Sequence, residues 1–339
     1  MSARWLLPAA LLAAASAVRA DWPQWRGPTR DGVAAGFSAP PAWPKELKKG
    51  WSVKVGEGVA TPALAGGKLY TFGWEGGEEV VRCLDAATGQ PVWKKSYTTR
   101  PATGPAGGFP AARGSPAVAD GKVVTFGVQG VLSCFDAATG KVLWRKDNTG
   151  GVPGFSASCS PLVADGMCVV QVGGDRGGAV VAFDLATGDQ KWRWDSDGTK
   201  YASPALLDAG GTKAVVAETA GTVSAVGLKD GQVLWQASFS SKYNASTPVV
   251  VGSAVIYGGS GKANTAVKLE PKGGKLDATK LWANDENPVM YNSPAVRDGL
   301  LYGLSERGEV FCIDTAGGKT LWTGKVAAGG GGGGGKGKG

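Results

Sequence analysis

A ten-residue pattern that recurs along the chain limits the possible folds more than any other feature of the sequence. Residues 84–93 read LDAATGQPVW, and residues 135–144 read FDAATGKVLW. Further copies define six units, each of which begins with Ser or Thr before Pro and ends at Trp. The opening dipeptides are Thr61-Pro62, Ser115-Pro116, Ser160-Pro161, Ser203-Pro204, Thr247-Pro248 and Ser293-Pro294. The closing residues are Trp93, Trp144, Trp192, Trp235, Trp282 and Trp322. Such a series identifies a repeat protein.

Each unit has the composition of a small antiparallel sheet. The closing tryptophans are 40 to 51 residues apart. In the second unit, the β-rich runs SPAVA, KVVTFG, VLSCF and KVLWRK are separated by turn residues such as DG and DAATG. Four short strands per repeat of about 45 residues are typical of the blades of a β-propeller. The sequence therefore predicts an all-β fold, a β-propeller with six recognisable four-stranded blades.

The DAATG segment is predicted to be a hairpin loop with a structural role. Its Asp accepts hydrogen bonds from the amides that follow, and its Gly supplies the positive φ that closes the turn. Four units carry this Asp, namely Asp85, Asp136, Asp184 and Asp314. The Trp four residues after the Gly lies in the outer strand, where its ring can pack between neighbouring blades and bury roughly 200 Å². We predict one such tryptophan wedge per blade, with the fifth unit, KGGKLDATKLW, degenerate.

A seventh tryptophan, Trp51, belongs to the segment GWSVKVG at residues 50–56, which resembles an additional outer strand placed before the first blade. In many propellers an N-terminal strand completes the last blade, so that no edge strand of the sheet is left exposed. The sixth unit nevertheless has its own closing tryptophan. Two alternatives follow: six blades close with a redundant strand, or the six blades are part of an incomplete eight-bladed ring.

The two ends of the chain differ from its body. Residues 1–20 have a basic start, an apolar run and small residues before Asp21, as expected of a secretory signal peptide. Residues 21–50 are assigned to an N-terminal clasp, residues 51–328 to the propeller, and the Gly/Lys tail at residues 329–339 to disorder. The prediction is an exported monomer, periplasmic or extracellular, with no transmembrane segment. No lipid anchor is expected, because no Cys follows the predicted cleavage point.

The charge of the chain gives no indication of a nucleic-acid partner. The net charge is +8, or +4 when two arginines of the signal peptide and two lysines of the tail are set aside. No run of basic residues stands out, and a modest surplus mainly favours solubility.

The cysteines are interpreted as buried thiols rather than disulfides. Three of the five lie two residues before the Asp of a unit: Cys83, Cys134 and Cys312. Ala182 fills the same position in another unit, which indicates a small apolar core position. Cys159 and Cys168 flank an ADG turn, and the expected hairpin register places Cys168 opposite Leu162.

The units resemble the PQQ-like (quinoprotein-type) repeat through the pattern D-x-x-T-G-x-x-x-W. The segment DWPQWRGPTRDG at residues 21–32 is similar to the start of a large group of exported bacterial proteins with such repeats. The resemblance extends over residues 21–326 and implies a propeller, with eight blades in full members.

Two functional branches of that family are implied by the resemblance. Quinone-dependent alcohol and sugar dehydrogenases use PQQ with a Ca²⁺ held by Glu, Asn and Asp, plus an Asp base. This chain has no adjacent cysteine pair and no His, so the ring disulfide and the haem attachment of some members are missing. The other branch is an outer-membrane-protein assembly lipoprotein, a scaffold without a cofactor.

The residues that precede each Ser/Thr-Pro are expected at one mouth of the central channel. They are Arg113, Ser158, Tyr201, Asn244 and Asn292, with Tyr291 adjacent. Polar and aromatic groups around a channel suit a small ligand or a peptide. The alternative is that they only hydrate the opening.

The segment at residues 21–32 is interpreted as a plug or clasp, with a recognition surface as the alternative. Trp22 and Trp25 are expected to pack on the propeller, and Arg26 is expected to pair with an acid. No metal site and no catalytic residue are predicted. The sequence thus favours a non-catalytic scaffold that binds an envelope protein or a small ligand without a cofactor. The alternative is a PQQ- and calcium-dependent dehydrogenase.

Overall fold

The computed structural model describes residues 21–326 except 35, 103–105, 110 and 148. The predicted signal peptide and the predicted disordered tail lie outside the described residues. Within the described ranges the chain forms no α-helix, and its 24 strands make six four-stranded sheets. The predicted all-β, four-stranded organisation is therefore confirmed.

The strands of the six sheets follow one another along the chain. Sheet 1 consists of β1 (Ala63–Ala65), β2 (Lys68–Glu75), β3 (Glu78–Asp85) and β4 (Pro91–Thr98). Sheet 2 consists of β5 (Ala117–Ala119), β6 (Lys122–Phe126), β7 (Leu132–Asp136) and β8 (Val142–Lys146). Sheet 3 consists of β9 (Leu162–Ala164), β10 (Met167–Gly173), β11 (Gly178–Asp184) and β12 (Gln190–Ser196).

The second half repeats this plan. Sheet 4 consists of β13 (Ala205–Ala209), β14 (Thr212–Glu218), β15 (Thr222–Gly227) and β16 (Val233–Ser238). Sheet 5 consists of β17 (Val249–Val251), β18 (Ala254–Gly259), β19 (Lys262–Lys272) and β20 (Lys275–Asn284). Sheet 6 consists of β21 (Ala295–Arg297), β22 (Leu300–Leu304), β23 (Glu309–Asp314) and β24 (Thr320–Lys325).

The sheets are arranged as the blades of a propeller. Within each sheet the strands pair antiparallel in chain order, from a short first strand to the fourth. The first strands of successive sheets contact one another, from β1 and β5 through to β17 and β21. The first strands are therefore innermost, and the residues just before them gather at one end of the central channel.

Local turn chemistry explains why each unit folds back on itself. In the loop between β7 and β8, Oδ1 of Asp136 accepts hydrogen bonds from N and Oγ1 of Thr139 at 2.8 and 2.7 Å. Gly140 has φ +70°, a conformation that an L side chain rarely adopts. Hydrogen bonds among the loop's own residues thus define the turn, and the Ala137 N–H adds a bond to the Gly121 carbonyl at 2.8 Å.

Four closing tryptophans are wedged between consecutive sheets. The ring of Trp93 lies against Gly140 of sheet 2, and its Nε1 donates to the Ala137 carbonyl at 2.9 Å. The same arrangement recurs for Trp144, Trp192 and Trp282 with the next turn along the chain. A Cβ on Gly140 would lie 2.7 Å from the indole, so the ring needs a glycine at that position.

Two closing tryptophans depart from the predicted wedge. Trp235 is half-buried and packs near Tyr257 of sheet 5, where the degenerate fifth unit forms the long β19–β20 hairpin instead of a D-x-x-T-G turn. Trp322 is 48 % exposed, and no described sheet follows sheet 6 to cover it. Trp51 is 37 % exposed and lies on Gly89 of the first turn, but the prediction of an outer strand at residues 50–56 is wrong, because this segment pairs with no neighbouring strand.

The five cysteines are buried and free, as the sequence indicates. The predicted register of the β9–β10 hairpin is wrong by one residue, because Cys168 pairs with Val163, and Leu162 pairs with Val169. The two-residue turn at Asp165 and Gly166 makes Ala164 and Met167 the closing pair, which fixes this register. Burial raises the pKa of the Cys159 thiol to about 11.

Glu218, at the end of β14, is fully buried, and neither carboxyl oxygen has a hydrogen-bond partner. Burial raises its pKa well above the usual value, since the charged form is poorly solvated. The folded chain therefore retains this proton after the unfolded chain has lost it. As the pH rises above the unfolded pKa, near 4.3, the folded state loses about 1.4 kcal/mol per pH unit until the folded pKa is reached.

We accordingly expect Glu218→Gln to stabilise the protein relative to the wild type by an amount that grows with pH and then levels off. Urea unfolding between pH 4 and pH 9 measures the difference. Glu286→Gln, at an exposed carboxylate, is the control. A pH-independent difference between Glu218→Gln and the wild type would contradict the assignment.

Candidate functional site

A row of hydroxyl groups connects successive sheets at the channel mouth. In each of the first five units, the backbone N–H of the Ser or Thr before Pro donates to the hydroxyl of the corresponding residue in the next unit. The N···O distances are 3.1 Å for Thr61 to Ser115, 2.9 Å for Ser115 to Ser160, 2.9 Å for Ser160 to Ser203, 3.4 Å for Ser203 to Thr247 and 2.8 Å for Thr247 to Ser293. The sequence does indicate these bonds, because each unit opens with a Ser or Thr before Pro, but the sequence analysis treats that dipeptide only as a marker of the repeat.

Residues 21–33 of the predicted clasp lie across the sheets at this mouth. Trp22 forms two backbone hydrogen bonds with Leu64 of sheet 1, at 2.7 and 2.9 Å. The carbonyl of Pro23 accepts from the backbone N–H of Val118 in sheet 2 at 2.7 Å. Nε1 of Trp25 donates to Oγ1 of Thr247, which precedes sheet 5, at 3.1 Å. A segment outside the repeats thus joins distant blades.

Two buried arginines of the clasp bind main-chain carbonyl groups. Arg26 donates to the carbonyls of Ser293 at 2.7 Å and of Pro294, both of which precede sheet 6. Arg30 donates to the carbonyls of Ser160 at 3.2 Å and Pro161 at 2.9 Å. The prediction that Arg26 pairs with an acid is wrong, because the nearby Asp31 contributes its carbonyl oxygen rather than its carboxylate to the guanidinium. Burial lowers the pKa of Arg26 to about 10 and that of Arg30 to about 9.

The channel mouth holds a cavity of about 640 Å³, which we call the bowl. Residues preceding all six sheets line it, together with Trp25 of the clasp. Four of the six predicted mouth residues are in this lining: Arg113, Ser158, Tyr201 and Tyr291. Its volume is that of a pocket for a small ligand or a few side chains of a peptide.

Aromatic rings form a continuous arc along one wall of the bowl. The ring of Phe155 meets Tyr201 edge to face at 5.9 Å and Tyr243 at 6.2 Å between centroids. Tyr243 continues to Tyr291 at 5.2 Å. Sequence reasoning missed Phe155, Tyr243 and Phe109, because it considered only the residues directly before each Ser/Thr-Pro, and these three lie further upstream.

Asn244 and Asn292, predicted to face the channel, instead hold loops together. Asn244 is fully buried, its Oδ1 accepts from the Ser241 N–H at 2.6 Å, and its Nδ2 donates to the Thr219 carbonyl at 2.6 Å. Its φ of +44° is a left-handed conformation that Asn tolerates. Asn292 exchanges two hydrogen bonds with the backbone of Leu304. Neither side chain lines the bowl.

Arg113 is the charged residue of the lining. Its guanidinium donates to the carbonyls of Phe155, Phe109 at 2.7 Å and Ala106 at 3.2 Å. Partial burial lowers the pKa of Arg113, and burial raises the pKa of Tyr201. The hydrogen bond from Tyr291 lowers the pKa of Tyr243.

The lining does not fit the calcium ion of the alternative prediction. A Ca²⁺ ion takes carboxylate and carbonyl oxygens as ligands. The lining contains no Asp, Glu, Asn or Gln, and in the described part of the chain no group of three or more His, Cys, Asp or Glu side chains is placed to hold a metal. Aromatic walls, hydroxyl groups and one guanidinium instead suit the binding of an apolar group.

The described residues contain no helix long and apolar enough to cross a membrane.

Comparisons with known proteins place the chain among PQQ-like propellers. The outer membrane protein assembly factor BamB of Yersinia pestis is 26 % identical over 298 residues, which cover 81 % of this chain and 70 % of that protein. The quinohemoprotein alcohol dehydrogenase of Comamonas testosteroni is 32 % identical over 163 residues, 45 % of this chain but 22 % of the enzyme.

The fold agrees with these relatives. The crystal structure of BamB from Moraxella catarrhalis superposes with a TM-score of 0.56 at 16 % identity and covers 78 % of this chain and 72 % of that one. A family model described as outer membrane protein assembly factor BamB matches residues 77–324. The chain, a PQQ-like β-propeller, therefore belongs to the family of the outer membrane protein assembly factor BamB.

Proposed function

We propose that this protein is a non-catalytic scaffold of the bacterial envelope, which binds an apolar segment of a partner protein in the bowl. The observation that carries the proposal is the aromatic arc of Phe155, Tyr201, Tyr243 and Tyr291 around a ligand-sized cavity. The similarity to outer membrane protein assembly factors supports a partner engaged in that assembly. The predicted signal peptide supports export to the envelope.

Exposed aromatic side chains support a protein partner. Phe109 is 68 % exposed and Tyr291 is 65 % exposed at the rim of the bowl. Soluble proteins rarely leave large apolar rings grouped on their surface unless the rings contact something. Tyr and Phe are also enriched at the centres of protein interfaces.

The chemistry of the bowl supports binding rather than catalysis. The chain has no His, so no Ser-His or Cys-His pair can activate a nucleophile. The hydroxyls of Ser160, Ser203 and Thr247 accept hydrogen bonds from backbone amides or an indole, and none of them lies beside a base within the lining.

A photo-crosslinking amino acid at position 291 tests this function. We expect adducts with outer-membrane assembly proteins in bacterial cells, and we expect Tyr243→Ala to reduce their yield about tenfold, as loss of a central aromatic contact does. The control places the same amino acid at Val251, which is 42 % exposed at the other end of the inner strand β17. Identical adducts from both positions would contradict the proposal.

Dye-linked alcohol or sugar oxidation after addition of PQQ and Ca²⁺ to the purified protein would overturn its non-catalytic part.

A further inference from the structure

The guanidinium groups at the bowl lack carboxylate partners. Arg30 donates to two carbonyls and to Oε1 of Gln24, and its Nε, although buried, has no partner. Arg26 and Arg113 likewise donate to main-chain carbonyl oxygens. Asp31 is the acid whose charge acts on Arg26. A buried charge that is not neutralised by an opposite charge attracts an anion strongly, because little water screens it.

One of these charges lies in the lining of the bowl, and the other two lie outside the lining, next to residues that form it. Arg113 is part of the lining, and Arg30 donates to the carbonyl of Ser160, whose residue also lines it. Arg26 follows Trp25, another lining residue. At the rim, Nζ of Lys242 lies 5.3 Å from the centroid of the Tyr243 ring. The acid near Tyr201, Asp175, is paired with Lys200 at 2.7 Å. The charged side chains of the lining and the rim that have no carboxylate partner are therefore cationic, namely Arg113 and Lys242.

The hydroxyl row adds hydrogen-bond donors. The Oγ of Ser203 accepts from the Ser160 N–H at 2.9 Å, and Oγ1 of Thr247 accepts from both the Ser203 N–H and the Trp25 indole. A hydroxyl whose lone pairs are occupied by N–H groups presents its own proton as a donor. Donors that face a cavity favour a ligand with an acceptor group.

From these three observations we propose that the bowl binds apolar ligands that carry a carboxylate. The apolar body lies along the aromatic arc, and the carboxylate lies against the hydroxyl row beside Arg113, with Arg26 and Arg30 as further cationic groups outside the lining. A fatty acid and the free carboxyl terminus of an apolar peptide share this chemistry. The inference rests on the proposed function only in that both use the same bowl.

Calorimetric titration with matched acid and neutral ligands separates the contribution of the carboxylate to the binding affinity from that of the apolar part. We expect octanoate to bind at least tenfold more tightly than octanol, and N-acetyl-alanyl-leucine with a free carboxyl group to exceed its amide in the same way. Both preferences should shrink at about 0.5 M NaCl, where the Debye length falls to a few ångströms. If only octanoate or only the free dipeptide acid binds more tightly than its neutral counterpart, the result supports the proposal. It also identifies the natural ligand as a fatty acid or as a polypeptide terminus, respectively.

Arg113→Met tests the residue that carries the preference. We expect the preference for octanoate over octanol to fall severalfold, with the remainder due to Arg26 and Arg30, and we expect octanol still to bind, which shows that the bowl remains folded. Arg100→Met, at an exposed position outside the lining, should leave both affinities unchanged. Equal binding of acid and neutral ligand to the wild type would overturn the charge preference but leave the apolar bowl intact. If none of the four ligands binds, both this inference and the assignment of the bowl as an apolar site are wrong.

Discussion

Trp144→Ala is expected to lower the free energy of unfolding by about 3–5 kcal/mol, the range measured for large buried aromatic side chains. The indole fills the contact between sheets 2 and 3, where it lies on Gly188 and donates to the Leu185 carbonyl at 3.0 Å. Removal of the ring leaves a cavity between two blades and one buried carbonyl without its donor. Unfolding in guanidinium chloride, followed by circular dichroism, measures the loss.

Trp322→Ala provides a matched control at the same position of the repeat. The rings of Trp322 and Tyr302 are tilted to each other with centroids 6.3 Å apart, much as those of Trp93 and Tyr70 are at 6.0 Å, but Trp322 is 48 % exposed. Because no following sheet is packed against it in the described chain, we expect a loss below about 1 kcal/mol. Equal losses for the two variants would mean that the contact between blades contributes little, and that the tryptophans act within their own sheets.

The parts of the fold that could be predicted are those with local causes. The turn at Asp136 and Gly140 is closed by hydrogen bonds within five residues and by the conformational freedom of glycine, so ten letters of sequence are sufficient to identify it. The repetition of that signal gave the number of recognisable units and the position of their outer strands. The hairpin register at Cys168 was missed because it depends on which pair closes a two-residue turn.

The site was predictable only in part, because its geometry is set over long distances in the sequence. The residues before each Ser/Thr-Pro come together at the mouth, as the repeat implies, yet the orientation of each side chain depends on its loop. Asn244 adopts a left-handed conformation that turns it into the protein, whereas the preceding Tyr243 reaches the bowl. Arg26 donates to the carbonyl of Ser293, which lies 267 residues further along the chain, so no local sequence pattern predicts this bond.

The second large effect is expected for Arg26→Met, which should lower the free energy of unfolding by about 3 kcal/mol. Met fills much of the same volume but donates no hydrogen bonds. The carbonyls of Ser293 and Pro294 then lose a charged donor in a buried place, and each unsatisfied group of this kind costs about 1–3 kcal/mol. Part of this cost is offset, because the variant no longer buries a charged group. The lowered pKa of Arg26 reflects the unfavourable free energy of burying that charge.

The location of the effect is as informative as its size, because Arg26 connects the clasp to the segment before sheet 6. Amide hydrogen exchange should accelerate most in β21–β24, whose first strand follows Pro294 directly. Arg297→Met, in β21 itself, removes an exposed guanidinium whose ion pair with Asp298 has a separation of 3.4 Å, and such surface pairs contribute at most about 1 kcal/mol. If Arg26→Met accelerated exchange equally in all six sheets, the clasp would stabilise the propeller as a whole, rather than fix the sixth blade to the channel mouth.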